Sequence, residues 1–258
     1  MSDILHDAHF HILDKSFSDN KDLHLLKDDS QSLFLLNGTE PKYWDNIIKI
    51  SKHNKRIIPF LGIHPWYVSN SFNDYIKLLE NYLIDISYLG IGEIGLDFSS
   101  HTKENEVNLN IQEEIFYNQL MLAIKYKRPI SFHVIKKWDR FFYFLKKYTP
   151  QKFMIHGFTQ SKELAKEILN FGGYISIGLR AISKESYYET IRWLPIDKIL
   201  IESDETISIK DICSEIHYSK IKSIYNQLAI IRGVDISEIA LSINNNINNY
   251  LSDIVNAR

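Results

Sequence analysis

YLGIGEIGLD, residues 88–97, is a short run of apolar, β-favouring residues that carries two carboxylates, Glu93 and Asp97. Seven further runs of this kind begin at Ile4, Ser32, Ile57, Pro129, Phe153, Tyr174 and Lys198. Their starts are mostly ~20 to 30 residues apart, which is the spacing of repeated strand and helix units. We therefore expect eight strands.

Segments with a helical period lie between the apolar runs. Ile111, Ile115 and Leu122 fall on one stripe of a helix, and a second stripe begins at Leu164. Alternating strands and helices build a parallel sheet that is covered by helices, and eight such units in 258 residues have the size of one (β/α)8 barrel. The sequence therefore predicts the α/β class and a single TIM barrel.

The chain is predicted to finish on extra C-terminal helices. A helical pattern runs from Ile216 to Ile231 and stops at Gly233. It resumes after Asp235-Ile-Ser-Glu, residues 235–238, which has the pattern of a capping box, and continues to about Leu251.

The composition is that of an ordinary globular protein. With 45% hydrophobic and 24% charged residues, the sequence excludes a disordered chain, a collagen-like fibre and a disulfide scaffold. No Pro-rich or Gly/Ser-rich linker interrupts it, so we expect one domain over residues 1–258. Two domains divided near residues 99–110 are the alternative, but that stretch has the length of a loop insertion.

Charge and cysteine content also limit the function. The net charge of −2 does not attract the whole molecule to nucleic acid or acidic lipid, so any polyanion must be held locally. The sequence lacks an export signal and an apolar segment of ~20 residues, so we expect a cytoplasmic protein that does not bind membranes. Cys213 has no second cysteine to pair with, and we expect a buried thiol rather than a nucleophile.

Residues able to bind metal ions follow or lie within the predicted strands. They are His9, His11, His64, Glu93, His133, His156, Glu202 and Asp204. Taken singly, each histidine has a structural interpretation as a hydrogen-bonded core residue, and each carboxylate as a salt-bridge partner or a cap. In a parallel barrel, however, all strand ends open onto one mouth, so these side chains should converge there.

Imidazole and carboxylate ligands without thiolate suit Zn, Mn, Fe, Co or Ni, and carboxylate-rich sites also admit Mg. The predicted ligands are His9, His11, Glu93, His133, His156 and Asp204. Six ligands exceed the three that one catalytic zinc ordinarily uses, so we expect two divalent ions about 3.5 to 4 Å apart, bridged by Glu93. Two ions acidify a shared water, which favours hydrolysis as the reaction class.

The series of motifs resembles that of TatD-type metal-dependent deoxyribonucleases, a branch of the amidohydrolase-like TIM barrels. The motifs are His9-x-His11, Gly62-Ile63-His64-Pro65, Gly92-Glu93-Ile94-Gly95-Leu96-Asp97, His133, Ile155-His156-Gly157-Phe158 and Glu202-Ser203-Asp204. The resemblance extends from Asp7 to Asp204, with a weaker echo in the Asn-rich last helix.

The resemblance implies a role for each ligand. His9, His11 and Asp204 would hold one ion, and His133 and His156 the other, with Glu93 between them. Asp204 would also orient or deprotonate the attacking water, and His64 would contact substrate. The implied reaction is cleavage of phosphodiester bonds in DNA, with single-stranded DNA or frayed ends as the expected substrate.

This sequence departs from the family pattern at the rim of the site. Many members carry arginine two residues after the histidine matched by His133, where this chain has Ile135. Trp66 stands where a second histidine is common, and Glu205-Thr206 where a proline is common. Arginine binds phosphate bidentately, so these departures affect the predicted substrate contacts rather than the metal ligands.

Other residues are candidates for contacting substrate. Arg180 follows the seventh predicted strand, and we expect it, with His64 and Glu202, to bind substrate. Further basic candidates are Lys136, Lys137 and Arg140, although the lysines also fit a solvated helix face. Trp66, Phe98 and Phe158 lie near strand ends, where aromatic rings can stack on bases.

Two other functions remain open at this point. The first is hydrolysis of a small amide, ester or lactone on the same barrel, which the loss of the arginine at position 135 favours. The second is a metal-binding interaction protein without catalysis. The complete ligand set disfavours it, because crowded histidines and carboxylates are costly without ions.

Overall fold

The computed structural model describes residues 4–12, 31–69, 72–99, 102 and 109–255. Within them lie nine strands: β1 Asp7–Ile12, β2 Phe34–Asn37, β3 Ile57–Leu61, β4 Gly90–Asp97, β5 Ile130–Ile135, β6 Phe153–Ile155, β7 Tyr174–Ile177, β8 Ile199–Ile201 and β9 Thr206–Ile207. They form one sheet in the order β8-β7-β6-β5-β4-β3-β2-β1-β9. Neighbouring strands are parallel, as the repeated strand and helix units predict.

Helices connect the strands. The α-helices in the described residues are α1 Trp44–His53, α2 Phe72–Asp85, α3 Leu109–Tyr126, α4 Trp138–Tyr148, α5 Lys162–Asn170, α6 Leu179–Ile182, α7 Tyr188–Trp193, α8 Glu215–Arg232, α9 Ile236–Tyr250 and α10 Ser252–Val255. None of the helices in this part of the chain is long and apolar enough to cross a membrane.

The sheet is curled, so that the chain leaving β8 returns to β1. The Asp204 N–H donates to the carbonyl of His9 at 3.0 Å, and β9 then pairs with residues His11 and Ile12. The α/β class and the TIM-barrel-like arrangement are those expected. The described sheet has nine strands rather than eight, because the two residues of β9 add to the edge of β1.

The inner face of the sheet is filled by apolar side chains that alternate along the strands, among them Ala8, Leu35, Phe60 and Met154. Tyr250 of α9 packs against this layer, with its ring stacked on Phe60 at 6.1 Å between centroids. Leu251 and Ile254 join the same cluster. The C-terminal helices therefore cover one end of the sheet, and the carboxyl ends of the strands lie at the other.

Some local predictions differ from the structure. The first strand begins at Asp7 rather than Ile4, so His9 and His11 lie inside β1. Asp235 is the residue before α9, but its side chain makes no capping hydrogen bond, so the predicted capping box does not form. The alternative domain boundary near residues 99–110 falls largely outside the described residues.

Candidate metal centre

The carboxylate of Glu93 is the centre of the predicted ligand set. It lies on β4, where its side chain is 3% exposed. Oε1 is 2.8 Å from Nδ1 of His133, 2.6 Å from Nε2 of His156 and 3.3 Å from Nε2 of His64. Three imidazoles from three different strand ends therefore meet one carboxylate oxygen.

Two further imidazoles meet the other oxygen. Glu93 Oε2 lies 3.4 Å from Nε2 of His9 and 3.3 Å from Nε2 of His11, both on β1. The two histidines are separated by two residues, so they project from the same face of the strand. Their Nε2 atoms are 3.1 Å apart. The five histidines predicted at the strand ends are all gathered around Glu93.

A glycine allows the close approach of β4 and β5 at this point. Gly95 pairs with His133, and a Cβ on Gly95 would collide with the main chain of His133. Its φ of +158° also disfavours other residues. Gly95, two residues after Glu93, thus allows the contact between Glu93 and His133.

A hydrogen bond fixes the proton position of His11, and another orients the ring of His9. Nδ1 of His11 lies 2.8 Å from the carbonyl oxygen of Asn37, which can only accept, so Nδ1 carries the proton. In a neutral ring Nε2 then keeps its lone pair, directed at Glu93. His9 Nδ1 is held by Ser131 Oγ at 2.9 Å.

His133 is oriented in the same manner by a second carboxylate. Its Nε2 lies 3.0 Å from Asp97 Oδ2, which leaves Nδ1 facing Glu93. Asp97 is itself held by the indole N–H of Trp66 at 2.7 Å and by the N–H of Ser99 at 2.7 Å. A carboxylate behind a histidine in this position is the usual support of a metal ligand.

His64 differs from the other four histidines. Its Nδ1 accepts the N–H of Trp66 at 3.1 Å, so a neutral ring carries its proton on Nε2, the atom that faces Glu93. Burial lowers the pKa of His64 to about 4, which keeps the ring neutral. In this tautomer His64 is a hydrogen-bond donor and not a metal ligand.

The donor set fits divalent ions. The lone pairs of His11 and His133 point at Glu93, and acceptors that face each other repel unless a proton or a cation lies between them. Glu93 Oε1 and His156 Nδ1 are both buried. Neither atom has a hydrogen-bond partner of normal geometry among the described residues. Imidazole and carboxylate without thiolate suit the borderline and hard divalent metals.

The pKa values of His156 and Glu93 point to the same conclusion. Burial disfavours a charged His156, but the carboxylates of Glu93 and Asp204 outweigh it and raise the pKa of His156 to about 10. Burial works against a charged Glu93 too, yet the neighbouring charge of His156 holds the pKa of Glu93 well below its usual range. A cluster that attracts protons in this way has the electrostatics of a cation site.

Asp204 lies at the open side of this cluster. Its Oδ1 is 3.9 Å from His11 Nε2, 4.0 Å from His9 Nε2 and 3.9 Å from His156 Nδ1. The side chain is 34% exposed, in contrast to the buried Glu93. Asp204 therefore faces both the cluster and solvent.

Glu202, which the sequence predicts as a substrate contact, lies between the cluster and a neighbouring cavity. It is fully buried, and Oε1 accepts the N–H of Gly157 at 2.6 Å. Its ligand atom lies within 4.8 Å of those of His9 and His156. Burial, and then the charge of Asp204, raise the pKa of Glu202 to about 8. Glu202 thus separates the cluster from a neighbouring cavity.

That cavity has a volume of 390 Å³ and opens beside Asp204. It is lined by Gly157, Gly178, Leu179, Arg180, Ala181, Ser183, Glu202, Ser203, Asp204 and Glu205. Arg180 is exposed and also lines a smaller cavity of 40 Å³ next to His133 and His156. The structure places Arg180 at the mouth, as its position after β7 predicts.

The other rim candidates are arranged differently. Arg140, a candidate rim group, pairs with Glu113 through Nε and Oε1 at 3.0 Å. Lys137 lies over the ring of Phe98 at 5.2 Å. Phe158 is 2% exposed and packs against Trp138, so its ring is covered. Lys136 is exposed.

A second buried cluster, which the sequence patterns do not reveal, lies behind β1. Nε2 of His217 lies 2.8 Å from Oδ2 of Asp7, and the hydroxyl of Ser203 donates to the same oxygen at 2.6 Å. Asp7 stands two residues before His9, which was a usable signal, whereas His217 had none, since it lies on α8. Cys213 is half-buried beside His217, and its N–H donates to His217 Nδ1 at 3.4 Å.

Comparisons with known proteins agree with this geometry. The family described as TatD related DNase matches residues 6–252. An uncharacterized metal-dependent hydrolase of Buchnera aphidicola subsp. Baizongia pistaciae is 31% identical over 162 residues, which cover 61% of this chain and 59% of that protein. The deoxyribonuclease Tat-D of Schizosaccharomyces pombe is 23% identical over 184 residues, covering 66% and 58%. The matched regions therefore span about three-fifths of the length of these relatives.

A solved structure has the same fold. The TatD homologue YJJV of Escherichia coli K12 superposes with a TM-score of 0.78 at 19% sequence identity. The superposition covers 95% of this chain and 97% of that one.

Proposed function

Because this chain belongs to the TatD related DNase family, we propose that it is a divalent-metal-dependent hydrolase that cleaves phosphodiester bonds in DNA. The observation that carries the proposal is the meeting of five imidazoles at the buried carboxylate of Glu93. The names of the relatives, a deoxyribonuclease and a metal-dependent hydrolase, support the same reaction class.

We propose two metal positions that share Glu93. His9, His11 and Asp204 would hold one ion, and His133 and His156 the other. When bound, two ions in such a site polarise the scissile phosphate and bring the pKa of a shared water towards neutrality. The tautomers set by Asn37 and Asp97 leave the ligand nitrogens of His11 and His133 ready to bind.

Asp204 is the proposed base or orienting group for the attacking water. Its partial exposure places it where water enters the cluster, and the distances to the three histidines keep it within reach of both positions. His64, with its Nε2 proton facing the centre, would contact the substrate phosphate or hold Glu93 in place.

The substrate would enter over the 390 Å³ cavity beside Asp204. Arg180 is the proposed phosphate contact there, because an exposed guanidinium can bind phosphate bidentately. The cavity also carries the carboxylates of Glu202 and Glu205, so phosphate binding would depend on Arg180 and the ions together. Trp66, which is 37% exposed, offers a ring on which an unpaired base can stack.

Hydrolysis of a small ester or lactone is the second candidate. It is favoured by Ile135, which stands at the end of β5 where the family pattern has a phosphate-binding arginine. The cavity volume also falls within the range of about 300 to 1,000 Å³ that small-molecule sites have.

A labelled oligonucleotide tests the proposal. With Mg²⁺, Mn²⁺ or Zn²⁺, the protein should shorten a 3′-labelled single strand and frayed duplex ends, and the Asp204→Asn variant should not. Equal cleavage by both proteins would reveal a contaminating nuclease. Turnover of a small-ester panel without DNA cleavage would replace the proposal by the second candidate.

A further inference from the structure

A buried carboxylate lies behind the β1 side of the metal centre. Asp7 is fully buried and accepts four hydrogen bonds. Its Oδ1 accepts the N–H groups of His9 at 3.1 Å and Ser203 at 2.9 Å. Its Oδ2 accepts the hydroxyl of Ser203 at 2.6 Å and Nε2–H of His217 at 2.8 Å. One carboxylate thus joins the strand that carries His9 to the segment that carries Asp204.

The turn that carries Asp204 is tied to β1 along its length. Asp204 has a φ of +52°, a left-handed conformation that residues with a Cβ rarely adopt. Its N–H donates to the carbonyl of His9 at 3.0 Å, and the N–H of His11 donates to the carbonyl of Glu205 at 2.8 Å. Together with the two bonds from Ser203 to Asp7, these contacts hold Asp204 opposite His9 and His11.

His217 completes this arrangement from the outer layer. Its Nδ1 accepts the N–H of Cys213 at 3.4 Å, so in a neutral ring Nε2 carries the proton that is donated to Asp7. The ring lies between Phe10 and Phe34, with centroids 5.3 Å and 5.0 Å away, and is fully buried. His217 therefore has one orientation, and that orientation directs a donor at Asp7.

We propose that His217 and Asp7 are a positioning pair that sets the spacing between Asp204 and the histidines of β1. This inference rests on the proposed metal centre. Neither residue faces Glu93 or the cavity, so the pair acts through the main chain of His9 and through Ser203. Its effect should appear as metal affinity, because groups that support ligands commonly change metal affinity about 10- to 100-fold.

The test is a Mn²⁺ titration of the chelator-stripped full chain by calorimetry. The His217→Phe variant removes the donor and keeps a ring between Phe10 and Phe34, and we expect Mn²⁺ binding about 10- to 100-fold weaker. The His217→Gln variant retains an N–H donor at the position of Nε2 and should recover most of the affinity. If His217→Phe does not fold, Ser203→Ala removes the hydroxyl donor from Asp7 and should weaken Mn²⁺ binding in the same direction.

A matched control separates positioning from stability. Asn246 donates to the carbonyls of Ile196 and Ile199, both at 2.7 Å, near the start of β8 and far from the centre. The Asn246→Ala variant should lower Tm and leave Mn²⁺ affinity unchanged. Equal losses of affinity in this variant and in His217→Phe, or unchanged affinity in His217→Phe, would overturn the inference.

The outcomes also distinguish this inference from the proposed function. If the wild-type chain binds Mn²⁺ but cleaves no DNA, while His217→Phe binds it more weakly, the positioning pair stands and the DNase proposal fails. If the wild-type chain cleaves DNA and His217→Phe binds Mn²⁺ normally, only the positioning pair fails. Failure of the wild-type chain to bind Mn²⁺ overturns both.

Discussion

The two sides of the metal centre are supported in different ways. On the β1 side, His11 is held by the main chain at Asn37 and His9 by the buried Ser131. On the β5 side, His133 is held by Asp97, whose own partner is the partly exposed Trp66.

This difference shows where the substrate side of the protein can influence the centre. The support of the β1 side is enclosed, so changes at the rim should not reach it. The support of the β5 side extends to the protein surface through the indole of Trp66. Changes at the rim should therefore alter metal binding on the β5 side. The more of the centre a residue holds, the larger the effect of its substitution should be.

Glu93 belongs to both sides, so its substitution should have the largest effect. Glu93→Gln keeps the size of the side chain and removes the negative charge that five imidazoles face. We expect kcat/KM on an oligonucleotide to fall by about 10³-fold or more, with loss of bound metal. Metal analysis and a cleavage assay measure both. Glu113→Gln, at the surface pair with Arg140, should behave like the wild-type chain, and a Glu93→Gln variant with full metal content and activity would contradict this assignment.

Asp97 supports one side only, so a smaller loss is expected. Asp97→Asn removes the charge that orients His133 and accepts from Trp66, and Mn²⁺ affinity should fall about 10- to 100-fold. Calorimetry on the stripped protein would show one weakened binding step beside one that is nearly unchanged. Asp45→Asn, at a carboxylate bonded to Tyr82 on another part of the surface, is the control. Equal weakening of both steps would mean that the two sides are not separately supported.

Arg180 should affect substrate binding without affecting metal. Loss of a charge-assisted hydrogen bond to phosphate corresponds to about 1.5 to 3 kcal/mol, so Arg180→Ala should raise KM about 10- to 100-fold with little change in kcat. Steady-state kinetics on oligonucleotides would show this, while Mn²⁺ affinity stays constant. The neighbouring exposed Lys184 provides the control variant Lys184→Ala. A fall in kcat at constant KM would exclude Arg180 as a phosphate contact.

Trp66 should give the smallest change and the clearest view of the link between rim and β5 side. Trp66→Phe deletes one neutral donor to Asp97, about 1 kcal/mol, and should weaken Mn²⁺ binding about fivefold while an aromatic face remains. Trp193→Phe serves as the comparison for a tryptophan elsewhere. If Trp66→Phe raises the KM for oligonucleotides without changing Mn²⁺ affinity, the ring acts only as a stacking surface.

The convergence of the ligands could be predicted from sequence, because parallel strands bring their carboxyl ends to one mouth whatever the intervening helices are. His9, Glu93, His133 and His156 needed only the order of strands to be placed together. The packing of the helices against the strands could not be predicted in the same way. The bond between His217 and Asp7 joins residues 210 positions apart, and no local pattern encodes which helix face meets which strand.

Other contacts that the sequence does not predict have the same origin. The pairing of Arg140 with Glu113 depends on how α4 packs against α3. Strand β9 has only two residues, which is too short to produce a strand pattern in the sequence. It forms because the Asp204 turn lies against β1. Side-chain partners across packed elements decide these features, and composition and period do not.

In the described part of the chain, the ring of Tyr250 packs on Phe60 and helps to fill the inner face of the sheet at the end away from the metal centre. Within the described residues, the centre opens beside Asp204 and Arg180, at the larger cavity. A nucleic acid strand bound over this opening would block access to the ions. The rate at which a chelator removes them should therefore fall as the strand binds.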